Sequence, residues 1–487
     1  MLLPPPLTLI SWLALASGWL SPLPLQATPA HHDATDDPSS NSHRWKFPLR
    51  VSDNRRYLVQ NDGEPFFYLG DTAWELFHRL SLDEADRYLR DRASKGFTVI
   101  QAVVLAELKG LTDPNPNGDL PLFDNDPTRP NEAYFRHVDA IVARAEELGL
   151  VIGMLPTWGD KWTDRAGGAG PVIFTPENAR VYGEFLGQRY RDRPIIWILG
   201  GDRVIDTDTH LAVIEAMALG LRAGDGGNHL ISFHPRGGRT SADPLHDKPW
   251  LDFNMLQSGH ARDRANYAQI AADYARRPTK PCMDAEPIYE NHPLDFNPKN
   301  GYSDETDVRK AAYWAMLAGA LGHTYGCHDI WQMAAPGRPP ISNARSTWFD
   351  ALNLPGAGQM RHVRKLFETI QPFHRLVPDQ GLVADELDRR EGPHHVQAAR
   401  RADNRAAVLY LPEGRPIRVN LEPLVGPTLA VQWFNPRDGS LQTAAPVSRT
   451  QDADGSTLQR FAPPDDQQGR GHDWILLLQT ADSTNGT

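Results

Sequence analysis

Two carboxylates stand out by where they fall in the chain. Asp202 ends the run Ile195-Ile196-Trp197-Ile198-Leu199-Gly200-Gly201-Asp202, and Glu286 ends the shorter segment Pro281-Cys282-Met283-Asp284-Ala285-Glu286. A water-averse segment that delivers an acid at its tip carries a charge that is costly unless something uses or pairs it. Two such acids facing each other across a cleft can break a glycosidic bond: one protonates the leaving oxygen and the other attacks as nucleophile or base. Similar apolar runs end in aromatic and hydrogen-bonding residues. These are Asp71 and Trp74; Trp158, Asp160, Lys161 and Trp162; Arg203; His234, Arg236 and Arg239; Gln257 and His260; Tyr289 and Glu290; His328, Asp329 and Trp331. Trp and Tyr offer flat apolar faces to the C–H side of a sugar ring, while His and Gln can fix hydroxyls. The candidate set is therefore Asp202 and Glu286 as catalytic groups. Asp71, Trp74, Trp158, Lys161, Arg203, His234, Gln257, Tyr289, His328 and Trp331 are the candidate substrate-binding groups.

Each of these residues also has an ordinary structural reading. A lone Asp after a strand is usually a cap or turn residue, so the case for Asp202 rests on its pairing with Glu286. Asp284 competes with Glu286. Alternation along a strand puts both on one face, and the residue nearer the mouth, Glu286, is preferred. Trp74, Trp158 and Trp331 suit a core as well as a binding face, whereas Trp197 and Trp314 read as core. Arg203, Arg236 and Arg239 are either solvated or placed to meet an acidic sugar. The Gly200-Gly201 pair would let the chain bend and bring Asp202 close to a substrate.

The elements that must position these groups alternate. Strand candidates fall at 66–74, 97–105, 150–158, 195–202, 229–235, 252–259, 281–287 and 323–331, and most are continuous apolar runs, the pattern of parallel strands buried on both faces. Helical segments lie between them. One opens on Ser81 and Glu84 in capping-box spacing, one stops at Gly149, and one starts with Thr175-Pro176. Eight strands with helical crossovers predict a (β/α)8 TIM barrel, whose chemistry sits at the C-terminal strand ends. An open doubly wound sheet is the competitor, but no GxGxxG or GxxxxGK[ST] loop follows the first strand. After Val377-Pro378 the runs AAVLYLP, IRVNLE, LAVQWFN, TLQRFAP and DWILLLQ are short and separated by turn residues, which predicts a small antiparallel β-sandwich. The expected organisation is a signal peptide at 1–27, a disordered leader at 28–44, the barrel at 45–378, the sandwich at 379–480 and a tail at 481–487.

Bulk properties narrow the partners. The 487 residues carry a formal net charge of −11, a poor match for nucleic acid, where phosphate neutralisation dominates affinity. The apolar stretch from Leu7 to Leu20 reads as the core of a secretory signal, so the protein is expected to be secreted or periplasmic. No cysteine lies near the cleavage region, so no lipid anchor to the membrane remains after signal cleavage. Cys282 and Cys327 are too few for a zinc motif; they read either as a pair on neighbouring strands or as two separate buried thiols. Paired-acid chemistry requires neither a metal nor an organic cofactor.

The stretches RYLVQNDGEPFFYLGDTAWELFHRL, TWGDKW, IIWILGGDR, SFHPRGG, MDAEPIYE and GHTYGCHDIWQM resemble the apiosidase-like glycoside hydrolases (glycoside hydrolase family 140), and they span about residues 46–375. The region around WFNPRDG resembles the collagen-binding-type domain often attached to that family. The resemblance implies hydrolysis of apiosyl linkages in the rhamnogalacturonan-II side chains of plant cell-wall pectin. It implies Asp202 as proton donor and Glu286 as nucleophile or base, with retention expected by analogy with other paired strand-four and strand-seven acids. Related barrel hydrolases often carry Asn-Glu on strand four; this chain has Gly-Asp. The alternatives are a glycosidase for another pentose or pectic linkage, and a non-catalytic carbohydrate-binding protein whose acids only hydrogen-bond hydroxyls.

Overall fold

A computed structural model describes residues 45–164, 168, 170–449 and 457–481. The expected signal peptide and leader, and all but the first residue of the expected tail, lie outside the described residues. The described chain opens with a small antiparallel sheet of β1 (Arg50–Val51), β2 (Leu58–Val59) and β3 (Pro65–Phe66). Its hairpin turns at Asn61-Asp62-Gly63, closed by Gly63 N donating to Gln60 O at 2.9 Å.

Eight parallel strands follow, with helices between most of them. They are β4 (Tyr68–Thr72), β5 (Val99–Leu105), β6 (Val151–Thr157), β7 (Ile195–Gly200), β8 (Ile231–His234), β10 (Asn254–Gln257), β11 (Cys282–Asp284) and β12 (Gly322–Tyr325). Between β8 and β10 the short β9 (Arg239–Thr240) adds antiparallel to the upper end of β10. The ladder runs β8-β7-β6-β5-β4-β12-β11-β10. Its last seam, β8 to β10, is closed by single contacts. Asp252 N donates to Ile231 O at 2.9 Å, Ile231 N donates to the Asp252 carboxylate at 2.7 Å, and Ser232 Oγ donates to Phe253 O at 2.7 Å. The sheet is thus a TIM barrel.

The apolar runs are explained by which face each side chain takes. Val99, Val103, Ile196, Ile198, Met255, Met283 and Ala285 fill the barrel interior. Ile100, Ala102, Val104, Trp197, Leu199 and Leu256 pack outward against the helices. Both faces of each strand are dry, so no polar alternation survives in the sequence. Each fully buried aliphatic side chain contributes about 2 kcal/mol. One polar layer crosses the interior: Tyr68 Oη donates to Gln101 Oε1 at 3.0 Å, and Gln101 Nε2 donates to Ala285 O at 3.1 Å. That last bond anchors the backbone one residue before Glu286.

The outer helices start and stop where their end residues dictate. The helix Leu82–Ser94 has the full Ser81/Glu84 capping box, and Pro176–Tyr190 is capped by Thr175 with proline in its first turn. Among the described residues no helix is long and apolar enough to cross a membrane. Cys282 and Cys327 are separate buried thiols. The strands are all shorter than the apolar runs that mark them, because their ends turn into loops: 281–287 keeps only Cys282–Asp284, and two runs are also interrupted. The 66–74 run divides into β3 and β4, and the 323–331 run stops at Tyr325, after which His328–Trp331 forms a helical turn.

The C-terminal part has a six-stranded antiparallel sheet in the order β13-β14-β15-β20-β17-β18 and a two-stranded sheet β16-β19. Their ranges are β13 (Leu376–Pro378), β14 (Gln397–Arg401), β15 (Ala406–Leu411), β16 (Ile417–Asn420), β17 (Thr428–Phe434), β18 (Leu441–Ser448), β19 (Leu458–Phe461) and β20 (Trp474–Thr480). Strand β18 is largely exposed and carries no apolar alternation; its pairing with β17 makes it a strand. The larger sheet's central strands β15 and β20 are buried on both sides. Val408, Tyr410, Ile475 and Leu477 join the barrel's outer core, whereas Leu409, Leu411, Leu476 and Leu478 join the core shared with β16 and β19. Barrel and sheet are pinned by a buried ion pair. Arg309, on the helix Glu305–Leu317, donates to both Asp473 oxygens at 2.8 and 2.7 Å, and Tyr410 Oη donates to Asp473 at 3.0 Å.

Removing one partner of such a pair strands a buried charge. Asp473→Ala is expected to cost about 3–5 kcal/mol of folding stability in urea unfolding followed by circular dichroism. The double substitution Arg309→Met with Asp473→Leu is expected to cost far less. Equal losses would show that packing, not the stranded charge, dominates.

Candidate active site

Strand β7 delivers Asp202 through an unusual turn. Gly200, Gly201 and Asp202 all have positive φ, at 98°, 94° and 56°. A Cβ on Gly200 would sit 2.3 Å from His234 O, and one on Gly201 would sit 2.7 Å from Gly159 N. Only glycine fits where this turn presses between the ends of β6 and β8. Backbone bonds from Gly201 N to His234 O (3.2 Å) and from Gly159 N to Gly201 O (3.1 Å) hold it. Left-handed backbone at a non-glycine residue costs of order 1–3 kcal/mol and persists only where the surroundings impose it. Here it leaves the Asp202 side chain 34% exposed at the mouth. Gly237 N donates to its Oδ1 at 3.3 Å, and Arg203 Nη1 donates to its Oδ2 at 3.2 Å. Burial, then the charge of Glu286, push the Asp202 carboxyl above its ordinary range; His234, Arg203 and the Gly237 N–H offset only part of this.

Glu286 arrives differently from the way strand alternation predicts. The pleat of β11 ends at Asp284, which points outward. Its carboxylate accepts from Ser258 Oγ at 2.7 Å and Asn266 Nδ2 at 2.9 Å, and burial pushes it up to about 6. Asp284 and Glu286 therefore do not share a face. The chain leaves strand geometry after Ala285 and turns Glu286 into the mouth. There Oε2 lies 2.8 Å from His234 Nε2, and Oε1 lies 3.2 Å from His260 Nε2. His260 Nδ1 lies 3.1 Å from Pro287 O, so both its ring nitrogens face oxygens. Burial alone would raise the Glu286 carboxyl, but the two imidazoles outweigh it and hold the group well below the usual carboxylate range.

Around the two acids lies a cleft of about 550 Å³ at the C-terminal ends of the strands. Of the candidate catalytic and substrate-binding residues, Trp74, Trp158, Asp202, Gln257, Glu286, Tyr289, His328 and Trp331 line it, and so do Arg236 and His260 from the same strand ends. Trp74 and Trp158 are nearly fully buried and form its floor, with ring centroids 5.3 Å apart. The other four sit elsewhere. Asp71 is wholly buried on the outer side of β4, accepting from Tyr88 Oη at 2.6 Å and Arg92 Nε at 2.5 Å. Lys161 is buried against Asp160, with Nζ 2.7 Å from Oδ1. Arg203 lies behind Asp202 and reaches towards Glu107, 3.7 Å from its Oε1. His234 is fully buried beneath Glu286, with the Trp74 ring edge-on at 5.2 Å and 81°. Asp71 and Lys161 are thus structural, whereas Arg203 and His234 act on the acids they touch.

Several lining groups were not singled out. Glu107 is a third carboxyl in the cleft, pushed up to about 7 by burial and by the charges of Asp202, Asp160 and Glu75 against the pull of Arg203. His292, Phe296, Arg264, Ile341 and Ser342 also line it. All come from loops beyond strand ends, where no hydrophobic period marks a direction; loop length was the available signal. His260, His292 and His328 pack ring against ring, with centroids 4.6 and 4.5 Å apart, the first contact tilted and the second edge to face. Among the described residues no cluster of three His, Cys, Asp or Glu is arranged to hold a metal ion.

A TIM barrel whose mouth holds two acids in opposed environments has the equipment of a glycoside hydrolase. Solved structures agree. One described as a glycoside hydrolase is 33% identical, covering 93% of this chain and 100% of its own, with a TM-score of 0.80. A glycoside hydrolase family 5 protein from Bacteroides vulgatus is also 33% identical, covering 89% and 95%, with a TM-score of 0.79. Comparison with curated protein sequences returns no match. The family model described as "Apiosidase-like, catalytic domain" matches residues 52–374, and one described as "Putative collagen-binding domain of a collagenase" matches 377–479. The protein is a glycoside hydrolase, and the chain belongs to the apiosidase-like family.

The β7 turn gives a direct check. Gly200→Ala adds a Cβ against His234 O at a φ that alanine resists. It is expected to lower stability by about 2 kcal/mol or more in denaturant unfolding. An unchanged midpoint would show that the turn can relax without cost.

Proposed function

We propose that this chain hydrolyses apiosyl linkages in the rhamnogalacturonan-II side chains of plant cell-wall pectin, with Asp202 as general acid/base and Glu286 as nucleophile. The observation that carries the assignment of roles is the divergence of the two carboxyls. Asp202 is held above its ordinary range and Glu286 below it, the pattern that separates an acid from a nucleophile. Protonated Asp202 donates its proton to the leaving oxygen while ionised Glu286 attacks the anomeric carbon. The resulting glycosyl-enzyme ester is then hydrolysed by water, which gives its proton back to Asp202. A carboxylate held this low is a poor base towards water, which supports direct attack and hence retention. His234 and His260 favour the ionised form of Glu286, and Arg203 orients Asp202.

The pectic reading rests on the family and on charge. Arg236 and Arg264 line the cleft, are exposed, and form no ion pair with any described residue, in a chain of net charge −11. Two free guanidiniums at such a mouth suit a substrate bearing carboxylates. Export through the apolar N-terminal stretch would bring the enzyme to that polymer.

The test is sugar release from a rhamnogalacturonan-II oligosaccharide bearing an apiosyl linkage, with native protein beside Asp202→Asn and Glu286→Gln, each checked by thermal melt. Release by native protein is expected, with Glu286→Gln slower by about 10³-fold or more. No release by folded native protein would redirect the assignment to another pectic or pentosyl linkage. The pH profile follows from the two shifts. Activity requires ionised Glu286 and protonated Asp202. The acid limb of kcat/KM should therefore fall below the ordinary carboxylate range, and the alkaline limb above the pKa of an ordinary aspartate. An alkaline limb at the ordinary aspartate position would contradict Asp202 as the acid. Arg236→Ala with Arg264→Ala should raise KM for acidic oligosaccharides several-fold and weaken its dependence on salt; an unchanged KM would remove the arginines from recognition.

A further inference from the structure

We propose that Phe296, backed by His292, is a stacking platform for a second sugar ring at the rim of the cleft, at least one unit away from the ring that reacts at Glu286. The inference rests on the reading of the cleft as a glycan site and adds a subsite to it.

Phe296 lines the same cleft as Asp202 and Glu286, yet it is 61% exposed, more than any other large apolar residue among the described ones. An exposed phenylalanine contributes little to folding. This one is also held in a costly backbone state, with φ at +58° following Asp295 at +54°. For a bulky residue a positive φ is an outlier, and here two non-glycine residues adopt it in succession. The turn is closed by bonds within its own loop: Phe296 N donates to Pro293 O at 3.0 Å, Asn297 N donates to Leu294 O at 2.9 Å, and Asn300 Nδ2 donates to Asp295 Oδ2 at 3.1 Å. Strain maintained to present an aromatic face to solvent points to a ligand for that face.

The ring is placed to receive one. His292 packs perpendicular to it, with centroids 4.7 Å apart at 87°, so the ring is held on one side while most of its surface stays open to solvent. From it a continuous aromatic track leads inward. His292 to His260 is 4.6 Å, His260 to Tyr289 is 4.3 Å, and His260 Nε2 stands 3.2 Å from the Glu286 carboxylate. Burial and the neighbouring His260 and His328 keep His292 uncharged at neutral pH, so the outer part of the track is an apolar surface with polar edges. Such a surface matches the C–H face of a sugar ring and makes no demand on any one hydroxyl. The occupant is therefore a sugar ring of the same chain as the one at Glu286.

The test uses full-length protein and rhamnogalacturonan-II-derived oligosaccharides of one, two and more rings, with affinity read by isothermal titration calorimetry. Phe296→Ala should weaken the longer oligosaccharides about tenfold, the equivalent of one aromatic stacking contact, and leave the monosaccharide unchanged. Phe296→Trp should restore the loss. Phe296→Gly, which accepts the left-handed backbone freely, should keep or raise the melting temperature while losing the same affinity. Equal affinity of native and Phe296→Ala protein for every length would overturn the platform, as would a fall of several degrees in the melt of Phe296→Gly. Binding without cleavage would sink the proposed reaction and leave the platform standing. No binding of any of these oligosaccharides would overturn both.

Discussion

The buried carboxylate of Glu286, clamped between the imidazoles of His234 and His260, is the contact around which the mouth of the barrel is arranged. An ionised carboxyl removed from water is expensive unless paired, and here two histidines from separate loops and strands offset that cost. His234 must stand fully buried at the end of β8, and the Trp74 and Trp158 rings close around it. The backbone before Glu286 must leave the strand at one point, and Gln101 ties Ala285 O across the barrel interior. The same negative charge helps push Asp202 in the opposite direction. One pairing therefore accounts for a floor, a strand end and the contrast between two acids.

The opposition of the two acids is a property of position, not of residue type. Asp202 has polar partners on both oxygens, Arg203 and Gly237, yet partial burial and the facing charge prevail. Glu286 is the more deeply buried of the two, yet its partners prevail. Depth alone would have predicted the reverse order. Glu107, held up by burial and by the charge of Asp202 and reaching towards Arg203, adds a third carboxyl to the cleft.

The C-terminal sheet belongs to the same compact unit as the barrel. Its larger sheet lays Val408, Tyr410, Ile475 and Leu477 on the barrel's outer core, and Arg309 reaches Asp473 across the contact. Arg309 sits on the helix that follows the loop carrying Tyr289, His292 and Phe296. The sheet thereby packs against the helix that follows one wall of the cleft.

The sequence by itself determined the architecture of the barrel and the identity of its two prominent acids. Continuous apolar runs read as strands because both faces of each strand are dry, and helix starts were legible because capping is local, as at Ser81 and Thr175. Asp202 was visible because Gly-Gly-Asp after five apolar residues is a local anomaly. Asp71 and Lys161 resembled site residues because they too lie at strand ends. Only the tertiary structure turned Asp71 outward to Arg92 and buried Lys161 on Asp160. It also separated Asp284 from Glu286, because the pleat ends between them, and it brought Glu107, His292 and Phe296 to the cleft from loops that have no period to read. A strand's side-chain direction is set by its own repeat. A loop's is set by what it packs against, and those partners, such as Arg203 for Glu107, lie elsewhere in the chain and not in a local repeat.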